Sequence, residues 1–198
     1  MAPKLIAVVG PNGSGKSSAI YETEIEDSVL FVNPDDIART EFASIPDEDE
    51  RNLLAWKKCN ALREALLLEG VSFGFETVGS HPSKISFLET ARKLGYEIIV
   101  LFVATENPEI NIRRIRQRQA QGGHGVPDDK VRSRYDRTLD LLPEYIRVAD
   151  YARVWDNSID AETSEVGAMR ELAKKTPDGI EVLPDADEVR WFGAHFHG

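Results

Sequence analysis

Gly10-Pro11-Asn12-Gly13-Ser14-Gly15-Lys16-Ser17 carries a lysine and a hydroxyl at the end of a glycine-rich run. The run satisfies G-x-x-x-x-G-K-[ST] and directly follows an apolar segment, Leu5-Ile6-Ala7-Val8-Val9. Glycines at these positions let backbone N–H groups turn inward around phosphate. A helix starting at Lys16 adds the positive end of its dipole. Lys16 can then reach β- and γ-phosphates, the Ser17 hydroxyl can ligate Mg²⁺, and Ser18 closes the same cradle. The alternative is a glycine turn that fits by chance, but the strand before it and the helix-compatible Ser18-Ala19-Ile20-Tyr21 after it argue otherwise. The expected cofactors are ATP and Mg²⁺, bound over Gly10 to Ser18.

Acids recur where strands should end. Phe31-Val32-Asn33-Pro34-Asp35-Asp36-Ile37 puts two carboxylates at the expected carboxyl end of a second strand, where doubly wound sheets form their ligand crevice. A carboxylate there could take a proton from an attacking hydroxyl or hold Mg²⁺ through water, or it could simply cap the next helix. Asp35 is assigned the chemistry, as base, and Asp36 the capping or support beside the substrate. A third strand ends in Phe73-Gly74-Phe75-Glu76-Thr77. Glu76 could bind Mg²⁺ or a substrate hydroxyl and Thr77 could touch substrate or phosphate, against the plainer reading of an ordinary strand exit. No four apolar residues precede an Asp-Glu pair, so Glu76 or Asp35 must serve in place of a Walker B acid.

Cations gather further on. Arg113, Arg114, Arg116 and Arg118 crowd Ile110–Gln119, immediately before the hinge-like Gly122-Gly123-His124-Gly125. Arg114 and Arg118 share one helical face. Arg134 follows on a later helix. Arginines beside a mobile lid, here about 119–135, clamp the transferring phosphoryl group in small-molecule kinases; the competing reading is a solvated basic face. His124 is a lid contact to substrate or polar surface. Asn157, in Asp156-Asn157-Ser158, is an adenine contact or a turn former.

These residues need a frame to hold them. Apolar runs alternate with helix-like segments, which predicts an α/β fold of the P-loop NTPase type: a doubly wound, mainly parallel five-stranded sheet with helices on both faces and a small lid. Strands are expected near 4–9, 29–33, 72–76, 96–103 and 151–155, and helices over 16–25, 35–43, 48–69, 82–94, 108–120 and 128–142. In the third helix Leu53, Leu54, Ala61, Leu62, Ala65, Leu66 and Leu68 recur near helical spacing, and Gly70 ends it. Asn107-Pro108 starts the fifth. Residues 1–158 read as a kinase domain, and 159–198 as a C-terminal appendage or docked tail. The net charge of −10 argues against nucleic acid or an anionic membrane as partner. A single cysteine, Cys59, reads as a buried thiol in a reducing compartment, and the absence of a leader or apolar span points to the cytoplasm. His195 and His197 read as tail residues rather than metal ligands.

In order along the chain, Gly10–Ser17, Phe31–Ala38, Phe75-Glu76-Thr77, Gly122–Pro127, Arg134-Tyr135 and Asp156-Asn157-Ser158 resemble the zeta-toxin-like P-loop kinases, over about residues 4–158. The resemblance implies ATP-dependent phosphorylation of a small-molecule hydroxyl, in the best-known members that of a UDP-linked N-acetylamino sugar. It implies Lys16 as the phosphate lysine, Asp35 as base, Glu76 and Thr77 at the substrate, and Arg118 and Arg134 on phosphates. It also implies an antitoxin protein as a possible partner. The chain departs from the larger toxins in lacking a His-Pro-x-Tyr-type segment after Asp36. Kinases of a nucleoside or antibiotic hydroxyl, and an ATPase switch without an acceptor, are the other readings. No Asn-Lys-x-Asp guanine signature supports a switch.

Overall fold

The computed structural model describes residues 2–23, 29–122, 125–159 and 169–196. Strand β1 (Lys4–Val9) lies at the centre of the parallel sheet, between β3 (Phe73–Thr77) and β4 (Glu97–Ala104). From Leu5 to Val9 every residue of β1 is buried, as an unbroken apolar run between two covered faces requires. With β2 (Leu30–Phe31) beyond β3 and β5 (Tyr151–Asp156) beyond β4, the parallel order is β2-β3-β1-β4-β5. The chain therefore crosses over to both sides of β1, and the crevice opens at its carboxyl end.

Helices α1 (Lys16–Glu22), α2 (Pro34–Glu41), α3 (Glu48–Glu69), α4 (Ser83–Lys93), α5 (Pro108–Ala120), α6 (Asp128–Asp140) and α7 (Leu142–Val148) connect the strands. The larger core joins Phe73, Phe75, Leu88, Phe102, Leu139 and Tyr145 on one face. A smaller one joins Val8, Ala19, Ile20, Leu101, Val103 and Trp155 on the other. Local signals set the helix starts. Asn33 accepts from Asp35 N at 2.9 Å with Pro34 in the first turn. Asn107 accepts from Glu109 N and Ile110 N ahead of Pro108. Gly70, at φ 69°, ends α3. Cys59 is fully buried.

Three segments differ from expectation. β2 keeps only Leu30–Phe31, because Asn33 leaves the strand to cap α2. The helix expected over 128–142 splits in two, since Pro143 lacks an N–H and sits in the first turn of α7. The buried stripe of α3 is Ala55, Cys59, Arg63, Leu66 and Leu67. Leu53 and Leu68, expected inside, are exposed at 50% and 80%.

The sheet also has two strands more than expected. β6 (Arg170–Thr176) pairs antiparallel with β5, and β7 (Gly179–Val182) with β6. A 3-10 turn (Pro184–Glu188) and α8 (Arg190–His195) follow. Trp191 is buried, stacks on Phe102 with ring centroids 6.4 Å apart, and donates from Nε1 to Asp156 Oδ1 at 2.8 Å. Ser158 Oγ donates to the same oxygen at 2.5 Å, so the chain just beyond β5 is anchored by a residue from near the C-terminus. His195 faces Asp140, Nδ1 to Oδ1 3.3 Å.

Trp191→Phe keeps the ring but removes the donor to a buried carboxylate. Chemical denaturation should show a loss of about 1–3 kcal/mol. Arg190→Ala, on the exposed side of the same helix, should stay within about 0.5 kcal/mol. Equal effects would show that the Trp191–Asp156 bond contributes little.

Candidate active site

The loop after β1 is built by close approach. Gly10 N donates to Thr77 O at 3.3 Å, and a Cβ on Gly10 would stand 2.1 Å from Val103 O, so only glycine fits. Gly13 and Gly15 take φ of 77° and 97°, the left-handed region that glycine enters without strain. Ser14 N donates to Pro11 O at 3.2 Å, and Gly15 O accepts the first amides of α1 from Ser18 and Ala19.

Lys16 is buried, with Nζ donating to Pro11 O at 3.0 Å and lying 3.4 Å from Glu76 Oε1. Burial holds its pKa below the usual lysine value; the Glu76 carboxylate pulls it partly back up, and the Arg118 guanidinium presses it down. The ammonium faces a hollow of about 190 Å³ walled by Gly13, Gly15, Ser17 and Glu76 on one side and Arg114, Ile115 and Arg118 on the other. A space of this size and polarity suits phosphate groups. Ser17 and Glu76 offer two oxygen ligands to the same space, a donor set that fits Mg²⁺, which keeps several waters and shares substrate phosphates.

The arginines of α5 and α6 approach from the far side. Arg114 Nη1 donates to Asn157 O at 2.8 Å, and its Nη2 to Ile159 O at 3.3 Å. Arg134 Nη1 reaches Asn12 Oδ1 at 3.3 Å. Arg114 and Arg118 line the hollow together, in keeping with one helical face. Asn157 lies behind the loop: its Nδ2 donates to Ser14 O at 2.8 Å and presses so closely on Gly15 that a Cβ there would lie 2.0 Å away. Two further braces were not among the site residues read from the sequence. The Asn111 backbone carbonyl abuts Gly13, while the Asn111 side chain is buried and accepts from Thr105 Oγ1 at 2.5 Å. Tyr135 OH donates to Thr105 O, and burial pushes that phenol well up.

Asp35 and Asp36 are exposed and line a second hollow of about 590 Å³ between α2 and α3, with Arg39, Arg51 and Asn52. Asp36 pairs with Arg39 at 2.8 Å. Capping falls to Asn33, not Asp36, because only the residue preceding the first turn can turn its side chain back on the free amides. Thr77 accepts from Gly79 N through its hydroxyl at 3.2 Å. His124 lies outside the described residues, as does His197.

Residues 1–139 match the Zeta toxin family. The chain belongs to that family. An uncharacterized protein of Haemophilus influenzae is 30% identical over 138 residues, 68% of this chain and 94% of that protein. Among solved structures, AvrRxo1-ORF1:-ORF2 with ATP superposes with a TM-score of 0.70 at 16% identity, over 95% of this chain. The chain spans 62% of that AvrRxo1 chain's length. The PezAT toxin–antitoxin system of Streptococcus pneumoniae superposes with a TM-score of 0.56 at 18% identity, covering 84% of this chain and 75% of that one. At such identities the structures establish the fold alone, and it is the expected α/β P-loop architecture. Family and fold together support a nucleotide-dependent phosphotransferase.

A buried ammonium that is only partly compensated costs stability. Below the lowered pKa of Lys16 that cost is fully present. Between it and the free value of 10.5 the unfolded chain holds more proton than the folded one, so stability rises with pH. Lys16→Met should be more stable than wild type by about 1 kcal/mol at pH 7. That advantage should shrink as pH approaches the free lysine value in a denaturation series. A Lys16→Met protein less stable at pH 7 would show the charge to be fully compensated.

Proposed function

We propose that the chain is an ATP- and Mg²⁺-dependent kinase that transfers the γ-phosphoryl group to the hydroxyl of a small molecule. The observation that carries this reading is the Lys16 ammonium, buried yet turned into a small polar hollow beside Glu76 and two arginines. Backbone amides of Gly13 to Ser18 and Lys16 bind the phosphates, and Arg114, Arg118 and Arg134 offset the charge spreading over the transferring group. Ser17 would hold Mg²⁺ beside the phosphates, and the ion would supply further neutralisation of that charge.

The acceptor occupies the hollow between α2 and α3. Asp35 there orients its hydroxyl and accepts the proton as the oxygen attacks, with Asp36, Glu76, Thr77 and His124 contacting the rest of the substrate. Resemblance to the family supports a UDP-N-acetylamino sugar as acceptor. The PezAT structure is that of a toxin–antitoxin system and AvrRxo1-ORF1 was solved with ORF2, which supports an antitoxin protein as partner; the cytoplasm is the compartment proposed for the chain. Among the described residues, no helix is long and apolar enough to cross a membrane.

Incubation with ATP and Mg²⁺ against a panel of UDP-sugars, nucleosides and aminoglycosides, read by mass spectrometry, tests the proposal. One acceptor class should gain 80 Da, a phosphoryl group replacing a proton. Lys16→Ala should abolish the product and Asp35→Ala should slow it by about 100-fold or more. ATP turnover that ignores every acceptor and survives Asp35→Ala would overturn the assignment in favour of a switch.

A further inference from the structure

The chain leaving β5 reaches two parts of the phosphate hollow from one fixed point. Asn157 N donates to Ala104 O at 2.8 Å, which extends the β4–β5 ladder one bond past Asp156. Glu106 N donates to the hydroxyl of the next residue, Ser158, at 2.7 Å. The main chain at Asn157 is thus pinned to the segment that ends and follows β4. From there its side chain and its carbonyl diverge. Nδ2 donates to Ser14 O at 2.8 Å, and the Asn157 carbonyl accepts from Arg114 Nη1 at 2.8 Å. Gly15, the residue after Ser14, and Arg114 both line the hollow.

A trans peptide points its carbonyl and its N–H in opposite directions. With Ser14 O held by Asn157, the Gly15 N–H is turned away from Asn157. The contact also fixes the residue type, since a Cβ on Gly15 would lie 2.0 Å from Nδ2. On the α5 side, the carbonyls of Asn157 and Ile159 take two donors of Arg114 and set the direction of its guanidinium. Donors aimed before a ligand arrives need not be reoriented by it, so the cost of ordering them falls on folding rather than on binding. We infer that Asn157 is a positioning residue for polyphosphate and not a reader of the base: its side chain aims a loop amide, its carbonyl aims a guanidinium, and loss of the side chain weakens every polyphosphate ligand alike. This rests on the kinase reading of the glycine-rich loop.

The test titrates the full chain, with Mg²⁺ present, against two probes by calorimetry: a non-hydrolysable ATP analogue, and sodium tripolyphosphate, which has neither base nor ribose. Wild type should bind both. Asn157→Ala removes the bond to Ser14 and leaves the main-chain bonds available, so it should bind each probe about tenfold more weakly, by the same factor. Asn157→Thr, closer in volume and one atom short of the donor position, should do the same and serves if Asn157→Ala does not fold. A residue that only stiffened the fold would lower the melting temperature yet leave affinity, measured well below it, unchanged. A loss confined to the ATP analogue would make Asn157 a base contact and overturn the proposal, as would unchanged affinity for both probes. Hydrogen exchange tests the same claim without ligand: the Ser14 amide, which donates to Pro11 O, should exchange faster in the variant. Wild type that binds neither probe while this exchange difference persists would fail the kinase reading alone. Binding of both probes with no difference between wild type and variant would fail the positioning role alone.

Discussion

One buried positive charge organises this molecule. The Lys16 ammonium is held by a backbone carbonyl and a carboxylate beside a polar hollow of about 190 Å³. A lysine of ordinary exposure would be hydrated and mobile. Here the surrounding structure withholds water, so the charge is fixed in place before any ligand arrives and its field is weakly screened. Holding it there lowers stability locally, and the rest of the fold offsets that cost with two cores on either side of a sheet whose central strand is wholly buried.

The loop that carries the charge is rigid because distant parts of the chain converge on it. Asn157 bonds to Ser14 across 143 residues and Arg134 to Asn12 across 122. Asn157 is itself positioned by the end of β5, where Asp156 is tied by Trp191 from the C-terminal helix. Chain remote from the glycine-rich run therefore helps set its geometry. That chain of contacts also explains why β6, β7 and α8 join the same sheet and core as the loop they help to brace.

The phosphate loop was legible in the sequence because its chemistry is local: eight consecutive residues and the strand before them specify both conformation and ligand. The helix start at Asn107-Pro108 was legible for the same reason, since a cap acts over three residues, whereas at the second helix the cap was assigned to Asp36 when Asn33 supplies it. What the sequence hid is non-local. The strands β6 and β7 read as Arg-Glu-Leu-Ala-Lys-Lys-Thr and Gly-Ile-Glu-Val, too polar to announce themselves; Leu172 and Ala173 supply the buried residues. Asn157 could be placed near the nucleotide but not under the loop, because its partner lies at the other end of the chain. Arg63 was invisible for a sharper reason. The α3 stripe was read from its leucines, and a charged residue is assigned to solvent by default, so the helix seemed to face the core one position away from where it does.

The kinase reading requires that the hollow at Lys16 recognise terminal phosphates. Calorimetric titration with Mg²⁺ and a non-hydrolysable ATP analogue, compared with AMP, tests it most directly. The triphosphate should bind at least about tenfold tighter than AMP, since only it can place charge against Lys16 and the arginines. Equal affinities would show that the ammonium does not meet the ligand and that the hollow is not a phosphate site.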